Sequence, residues 1–325
     1  MNNNIILIIL FFFIFSCKTT TPPIVYDKNL KIIDNEIQLI HQLINNENYI
    51  EANKQIEKNL ELYKNNIEFI NLKAWLKLQI GNYKESEELF NQVIKKTKAN
   101  PLAYLGLGRC YRITKDFEKA KENINLGLSY NQNISSLWLE KGILEYEGQK
   151  YKQALIDFTK SYNLDLTNQD ALFFKYITML LTGREIDEIK NIWDNITKSQ
   201  NIKSFYYLYH ANTLYKLNQK EYSFIIIKEG LTKFPNEPYM LNFCAYLLYE
   251  KYKIDSKKEY LEDAENFILK SIENSKEIEL EFFDTYFCIL KEKDDIETIK
   301  KEIDRYILQF PNSKILIEWL NKIKK

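Results

Sequence analysis

Residues 101–134 read PLAYLGLGRCYRITKDFEKAKENINLGLSYNQNI. Within this stretch Tyr104, Leu107-Gly108 and Tyr111 precede Phe117, Ala120 and Ile124. The last three each belong to a series that steps by 34 along the chain. The aromatic recurs as Tyr49, Tyr83, Phe117 and Tyr151. Three residues further on stand Ala52, Ser86, Ala120 and Ala154, and four beyond those Ile56, Phe90, Ile124 and Phe158. Residues at offsets 0, +3 and +7 share one face of an α-helix. A fixed period of this length marks stacked helical units, none of which buries its apolar face alone.

Composition agrees with that reading. Of 325 residues, 45% are hydrophobic, which excludes general disorder, and 8 Gly with 6 Pro are too few for a turn-rich β architecture. Lys+Arg and Asp+Glu number 45 each, so a nucleic-acid backbone finds no global attraction.

The period, the small positions and the aromatic positions together resemble the tetratricopeptide repeat, a helix-turn-helix unit of 34 residues. The copy 135–168 repeats the pattern with Trp138, Gly142, Tyr151, Ala154 and Phe158. Extending the frame gives eight repeats: 33–66, 67–100, 101–134, 135–168, 169–203, 204–237, 238–279 and 280–313. An amphipathic stretch at 314–325, with Ile315, Trp319, Leu320 and Ile323, reads as a capping helix. The resemblance implies an all-α solenoid, a right-handed superhelix of helix pairs. It also implies close approach of the two helices where positions 8 and 20 of a repeat meet. Position 8 is Ala74, Gly108, Gly142, Ala211 or Ala245 in five repeats, and position 20 is Ala52, Ser86, Ala120, Ala154, Ser223 or Ala264 in six. Pro235 and Pro311 fall where second helices end. Two repeats depart from the pattern. In the fifth the register slips by one residue, to Ile186, Ile189 and Trp193, so its helix pair is expected to splay or shift. In the seventh a charged insertion near 251–259 is expected to lengthen the loop or the helix ends.

The N-terminus is a separate object. Ile5 to Phe15 is an unbroken apolar run, too short to span a bilayer as a helix and suited to the core of an export signal. Ile14-Phe15-Ser16-Cys17 resembles a bacterial lipobox, although Met1-Asn2-Asn3-Asn4 lacks the usual Lys or Arg. The resemblance implies cleavage before Cys17 and diacylation of its sulfur, with two acyl chains holding the protein at a membrane. The expected organisation is signal at 1–16, lipidated Cys17 and tether at 17–32, array at 33–313 and cap at 314–325. From Lys18 to Ile32 the tether reaches at most about 50 Å. An uncleaved hydrophobic tail is the alternative reading of the same residues.

Catalytic chemistry finds little purchase in the sequence. His41 and His210 sit in first helices with no His or Cys at i+4, and no CxxC or zinc spacing occurs. Gly106-Leu107-Gly108 follows no strand, so it is a packing feature and not a phosphate loop. Carboxylates are spread as expected of solvent faces. Cys110, Cys244 and Cys288 read as structural thiols, with a Cys244–Cys288 bridge as the alternative. No catalytic residue, metal, cofactor or small-molecule substrate is expected.

In the family that the chain resembles, positions 5, 9 and 12 of first helices line a concave groove. This register places Trp75, Arg109, Arg112, Tyr146, Asn212, Tyr215, Asn242, Tyr246 and Tyr249 there. Such aromatic, Arg and Asn side chains suit an extended or helical peptide, though some of the rings are also placed to pack between repeats. The expectation is an envelope scaffold, lipid-anchored to a bacterial membrane, that binds another envelope protein and no nucleic acid. A surface lipoprotein meeting external ligands and an envelope enzyme are the rival readings.

Overall fold

The computed structural model describes residues 28–184 and 186–323. Cys17, the lead segment 1–16, the tether up to residue 27 and the side chain of Ile186 lie outside the described residues. Among the described residues there are seventeen α-helices and no strand. They are α1 (Lys28–Asn45), α2 (Tyr49–Leu62), α3 (Ile67–Gln79), α4 (Tyr83–Lys96), α5 (Pro101–Ile113), α6 (Phe117–Tyr130), α7 (Ser135–Glu147), α8 (Tyr151–Leu164) and α9 (Gln169–Leu181). Then follow α10 (Ile186–Thr197), α11 (Ser204–Lys216), α12 (Lys220–Lys233), α13 (Pro238–Asp255), α14 (Lys258–Asn274), α15 (Leu280–Glu292), α16 (Ile296–Ile307) and α17 (Lys314–Lys322). Helix α1 starts at Lys28, inside the stretch expected to be tether. The helices form two compact units, one ending at Thr182 and one beginning at Gly183. None of the described helices is long and apolar enough to cross a membrane.

The 34-residue step is written into the turns as well as the cores. Glu47, Gly81, Lys115, Gln149 and Gly183, each 34 residues apart, all have positive φ, between 59° and 89°. At the first four of these turns two backbone bonds close the end of the first helix. In the third repeat Lys115 N–H donates to Arg112 C=O and Asp116 N–H to Tyr111 C=O, at 3.0 and 2.8 Å. This is the double bond pattern that satisfies orphan carbonyls at a helix end. The next residue then caps the second helix: Asn48, Asn82 and Asp116 accept from the backbone N–H three residues on. Asn66, Asn100 and Asn168 cap first helices in the same way, again in step with 34.

Burial separates the two helices of a repeat. Second helices bury one stripe, as in α4 with Ser86, Phe90 and Val93. First helices lie between neighbours on several sides, so α5 buries ten residues and α9 eight. Their near-continuous apolar sequences follow from that position. Where a repeat has glycine at position 8, the position-24 side chain of the second helix fills the space a larger residue would need. A Cβ added at Gly108 would stand 2.5 Å from Ile124 Cδ1, and one at Gly142 would stand 2.6 Å from Phe158 Cδ1. Two serines use the same proximity: Ser86 Oγ donates to Ala74 C=O at 2.8 Å and Ser223 Oγ to Ala211 C=O at 2.7 Å.

The seventh-repeat insertion enters the helices. Helix α13 has 18 residues and α14 has 17, joined through Ser256 at φ 53°. In the fifth repeat, Ile189 and Trp193 are buried within the C-terminal unit, Trp193 edge-on to Tyr207 at 5.2 Å.

Two substitutions test this account. Gln149→Gly should raise stability by about 0.5–1 kcal/mol, because a side chain in the left-handed region costs about 1–2 kcal/mol. Gly106→Ala should lower it by about 1 kcal/mol. Helix propensity favours Ala by about 1 kcal/mol, but the new Cβ would overlap the fully buried Phe90 ring, and overpacking costs about 1–3 kcal/mol. Urea unfolding of each variant measures both.

Candidate functional site

First helices touch one another from repeat to repeat, α3 to α5 to α7 to α9 in the N-terminal unit and α11 to α13 to α15 to α17 in the C-terminal unit. Each unit therefore carries a face made of first helices, and the nine groove positions fall on these two faces. What the structure does with them differs from one unit to the other.

In the N-terminal unit the arginines are consumed internally. Arg109 Nε donates to Glu140 Oε2 at 2.9 Å, Arg112 Nε donates to Glu140 Oε1, and Arg112 Nη1 donates to Glu147 Oε1 at 3.1 Å. Both arginines are buried, and the Glu140 side chain is 1% exposed. Trp75 lies under the Arg109 guanidinium at 5.5 Å and edge-on to Phe90 at 5.2 Å. Tyr146 packs edge-on to Tyr151 and Phe174. Arg109 and Arg112 are thus struts between α5 and α7 and do not present a free guanidinium. Glu140 and Asp157, expected on solvent faces, are buried because each meets a cation: Arg109 and Arg112 for Glu140, Lys141 at 3.1 Å for Asp157.

Charge follows geometry here. Burial pushes the Glu140 carboxyl up, but Arg112 and Arg109 outweigh it and hold the group below the usual range. Burial dominates at Glu147, which Arg112 offsets only in part, so that carboxyl is raised.

In the C-terminal unit hydroxyl groups take the place of guanidinium. Tyr215 Oη lies 2.8 Å from Tyr246 Oη and donates to Glu250 Oε2 at 3.2 Å. Tyr249 Oη donates to Glu292 Oε1 at 3.5 Å. Tyr249 and Asn242 are buried, whereas Asn212, Tyr215 and Tyr246 are half-buried. Asn212 makes no side-chain hydrogen bond among the described residues. This leaves part of the α11–α13 face open.

A recurring link emerges that position-by-position reading missed. Position 12 of one repeat donates to a glutamate at position 13 of the next: Arg112 to Glu147, Tyr215 to Glu250, and Tyr249 to Glu292. The signal lay in the spacing of 35 residues between donor and acceptor, lengthened to 43 across the insertion. Tyr146 has Leu181 at the corresponding place, and its ring packs edge-on to Phe174.

The remaining singled-out groups serve the interior. His210 is buried with its ring 4.3 Å from that of Trp193, and burial takes it down to about 3. Cys110, Cys244 and Cys288 are free thiols, raised by burial to about 11, 12 and 12. Thiols so shifted are poor nucleophiles.

No family model and no curated protein matches the chain. Solved structures do. A tetratricopeptide repeat protein from Parabacteroides merdae superposes with TM-score 0.58 at 14% identity, over 80% of this chain and 99% of that one. Yeast Tom70 gives TM-score 0.67 at 14% identity, over 96% and 66%. The Cut9–Hcn1 hetero-tetramer of the APC/C gives 0.62 at 11%, over 92% and 57%. With the repeated helix pairs described above, these likenesses establish an all-α solenoid of tetratricopeptide type.

Glu140→Gln should cost about 3–5 kcal/mol, because it leaves two buried guanidinium groups short of charge. The pH sign follows from the lowered Glu140. Its contribution is complete above about pH 4.5, the ordinary value, and is lost as pH falls through the depressed folded value. Urea unfolding between pH 3 and 7 should show the acid-side loss shallower in Glu140→Gln than in the parent chain.

Proposed function

We propose that this tetratricopeptide-type solenoid is a protein-binding scaffold of the bacterial cell envelope, held at a membrane by lipid on Cys17. One observation carries the binding role: on the α11–α13 face Asn212, Tyr215 and Tyr246 keep part of their surface open beside buried neighbours on the same helices. Amphipathic aromatic and amide side chains in such a setting supply contact area and hydrogen bonds at low entropic cost, which is the chemistry of protein and peptide recognition. A similar fold occurs in the Cut9–Hcn1 hetero-tetramer, itself a protein–protein assembly. Among the described residues those singled out for other chemistry do not converge on a reaction centre: His210 is buried beside Trp193, and Cys110, Cys244 and Cys288 are buried or half-buried thiols. The chain acts by holding a partner, not by transforming a substrate.

The address rests on Ile14-Phe15-Ser16-Cys17 and the polar run Lys18-Thr19-Thr20-Thr21-Pro22-Pro23 that follows it. Lipid on Cys17 would keep the array within a short tether's reach of the bilayer, where an envelope partner meets it.

Two experiments test the reading. A photo-crosslinking residue at Asn212 should trap one envelope protein in intact cells, identified by mass spectrometry, whereas the same residue at Ile225 on α12 should trap none. Equal trapping at both positions would contradict a first-helix binding face. Fatty-acid labelling should disappear in Cys17→Ser, and labelling that persists would overturn the lipid anchor.

A further inference from the structure

Helix α13 carries Asn242, Tyr246 and Glu250 at i, i+4 and i+8, one continuous stripe on the first-helix face. Each member has hydrogen-bonding capacity that the fold leaves over. Glu250 takes both its bonds, from Tyr215 Oη and Lys220 Nζ, on Oε2 at 3.2 Å, so Oε1 takes none, and its side chain is 26% exposed. Asn242 is 6% exposed, and its Oδ1 accepts no hydrogen bond from the described residues. Tyr246 shares one hydroxyl contact with Tyr215, and their rings stand 5.6 Å apart in an edge-to-face pair.

One intrachain cation already shows what this place accepts. The Lys220 ammonium lies 5.4 Å over the Tyr215 ring while pairing with Glu250, and its own side chain is 39% exposed. A carboxylate with one oxygen open, beside the Tyr215 ring that already carries a cation, suits a guanidinium better than an ammonium. A guanidinium is planar, bonds a carboxylate through two parallel N–H groups and stacks on aromatic rings. On the N-terminal face the glutamates Glu140 and Glu147 are only 1% and 8% exposed beneath Arg109 and Arg112.

We propose that the α11–α13 face binds a basic segment of its partner, seating an arginine side chain on Glu250 beside the Tyr215–Tyr246 pair, with Lys220 as the resident cation it displaces. This inference rests on the binding face proposed above and gives that face a partner chemistry.

The test uses the full chain and two fluorescein-labelled decapeptides, one alternating Arg with Ala and the other Glu with Ala, followed by fluorescence anisotropy. The Arg peptide should bind at least ten-fold more tightly than the Glu peptide. Glu250→Gln should weaken the Arg peptide about ten-fold. Lys220→Met should tighten it about three-fold, a gain that misfolding cannot produce. Equal affinity for the two peptides, or Arg-peptide binding unmoved by both substitutions, would overturn the proposal. Crosslinkable versions of both peptides keep the two readings apart. Crosslinking to position 212 without charge preference removes the basic-segment assignment and leaves the binding face standing. Crosslinking of neither peptide, with no affinity for either, removes the basic segment, while a partner trapped in cells at position 212 would still uphold the face.

Discussion

Everything in this molecule depends on how closely the two helices of a repeat approach each other. At the crossing of positions 8 and 20 a serine hydroxyl on one helix reaches a carbonyl of the other at 2.7–2.8 Å. At Gly108 and Gly142 even a single added carbon would crowd the facing side chain. That approach fixes the pair as a rigid wedge. Its second helix then needs only one apolar stripe, while its first helix is surrounded and becomes apolar on several sides. Stacking wedges lines up the first helices, and the first-helix faces exist only because of that alignment.

A face of surrounded helices has little room for polar groups, and the chain handles them in two ways. In the N-terminal unit two arginines and two glutamates neutralise one another between α5 and α7, with Trp75 beneath. Breaking such a network is expensive, because a buried charge is left uncompensated. It therefore serves register and stability. In the C-terminal unit tyrosine hydroxyls replace the arginines against the equivalent glutamate. Glu147 is left 8% exposed beneath its arginine, whereas Glu250 keeps 26% of its side chain exposed and an open oxygen. The same inter-repeat link closes one face and leaves the other available.

Much of the architecture was legible because its cause is local. The step through Phe117, Ala120 and Ile124 and the small residues at the crossing are consequences of one repeated packing problem. The turns obey the same step: Glu47, Lys115 and Gln149 adopt positive φ as Gly81 and Gly183 do. Residue type alone could not reveal this, since only two of the five are glycine. The roles of Arg109 and Arg112 were not legible, because their partners stand 28–35 residues away on another helix. Seen singly, an arginine at a groove position looks like a binding group and a glutamate looks like solvent decoration. The pairing spans repeats, so it becomes visible only when one repeat is laid on the next.

The central claim is that the first-helix face of the C-terminal unit is covered by a partner in the cell. It is tested most directly by the labelling rate of a single cysteine placed at Asn212 or at Ile225, compared between intact cells and the purified chain with a permeant maleimide. Cys110, Cys244 and Cys288, raised by burial, contribute a slow background, and Cys17, carrying lipid on this account, contributes none. The account expects Asn212→Cys to label several-fold more slowly in cells than in the purified protein, and Ile225→Cys to label at the same rate in both. Equal rates at Asn212→Cys, or protection confined to Ile225→Cys, would contradict it.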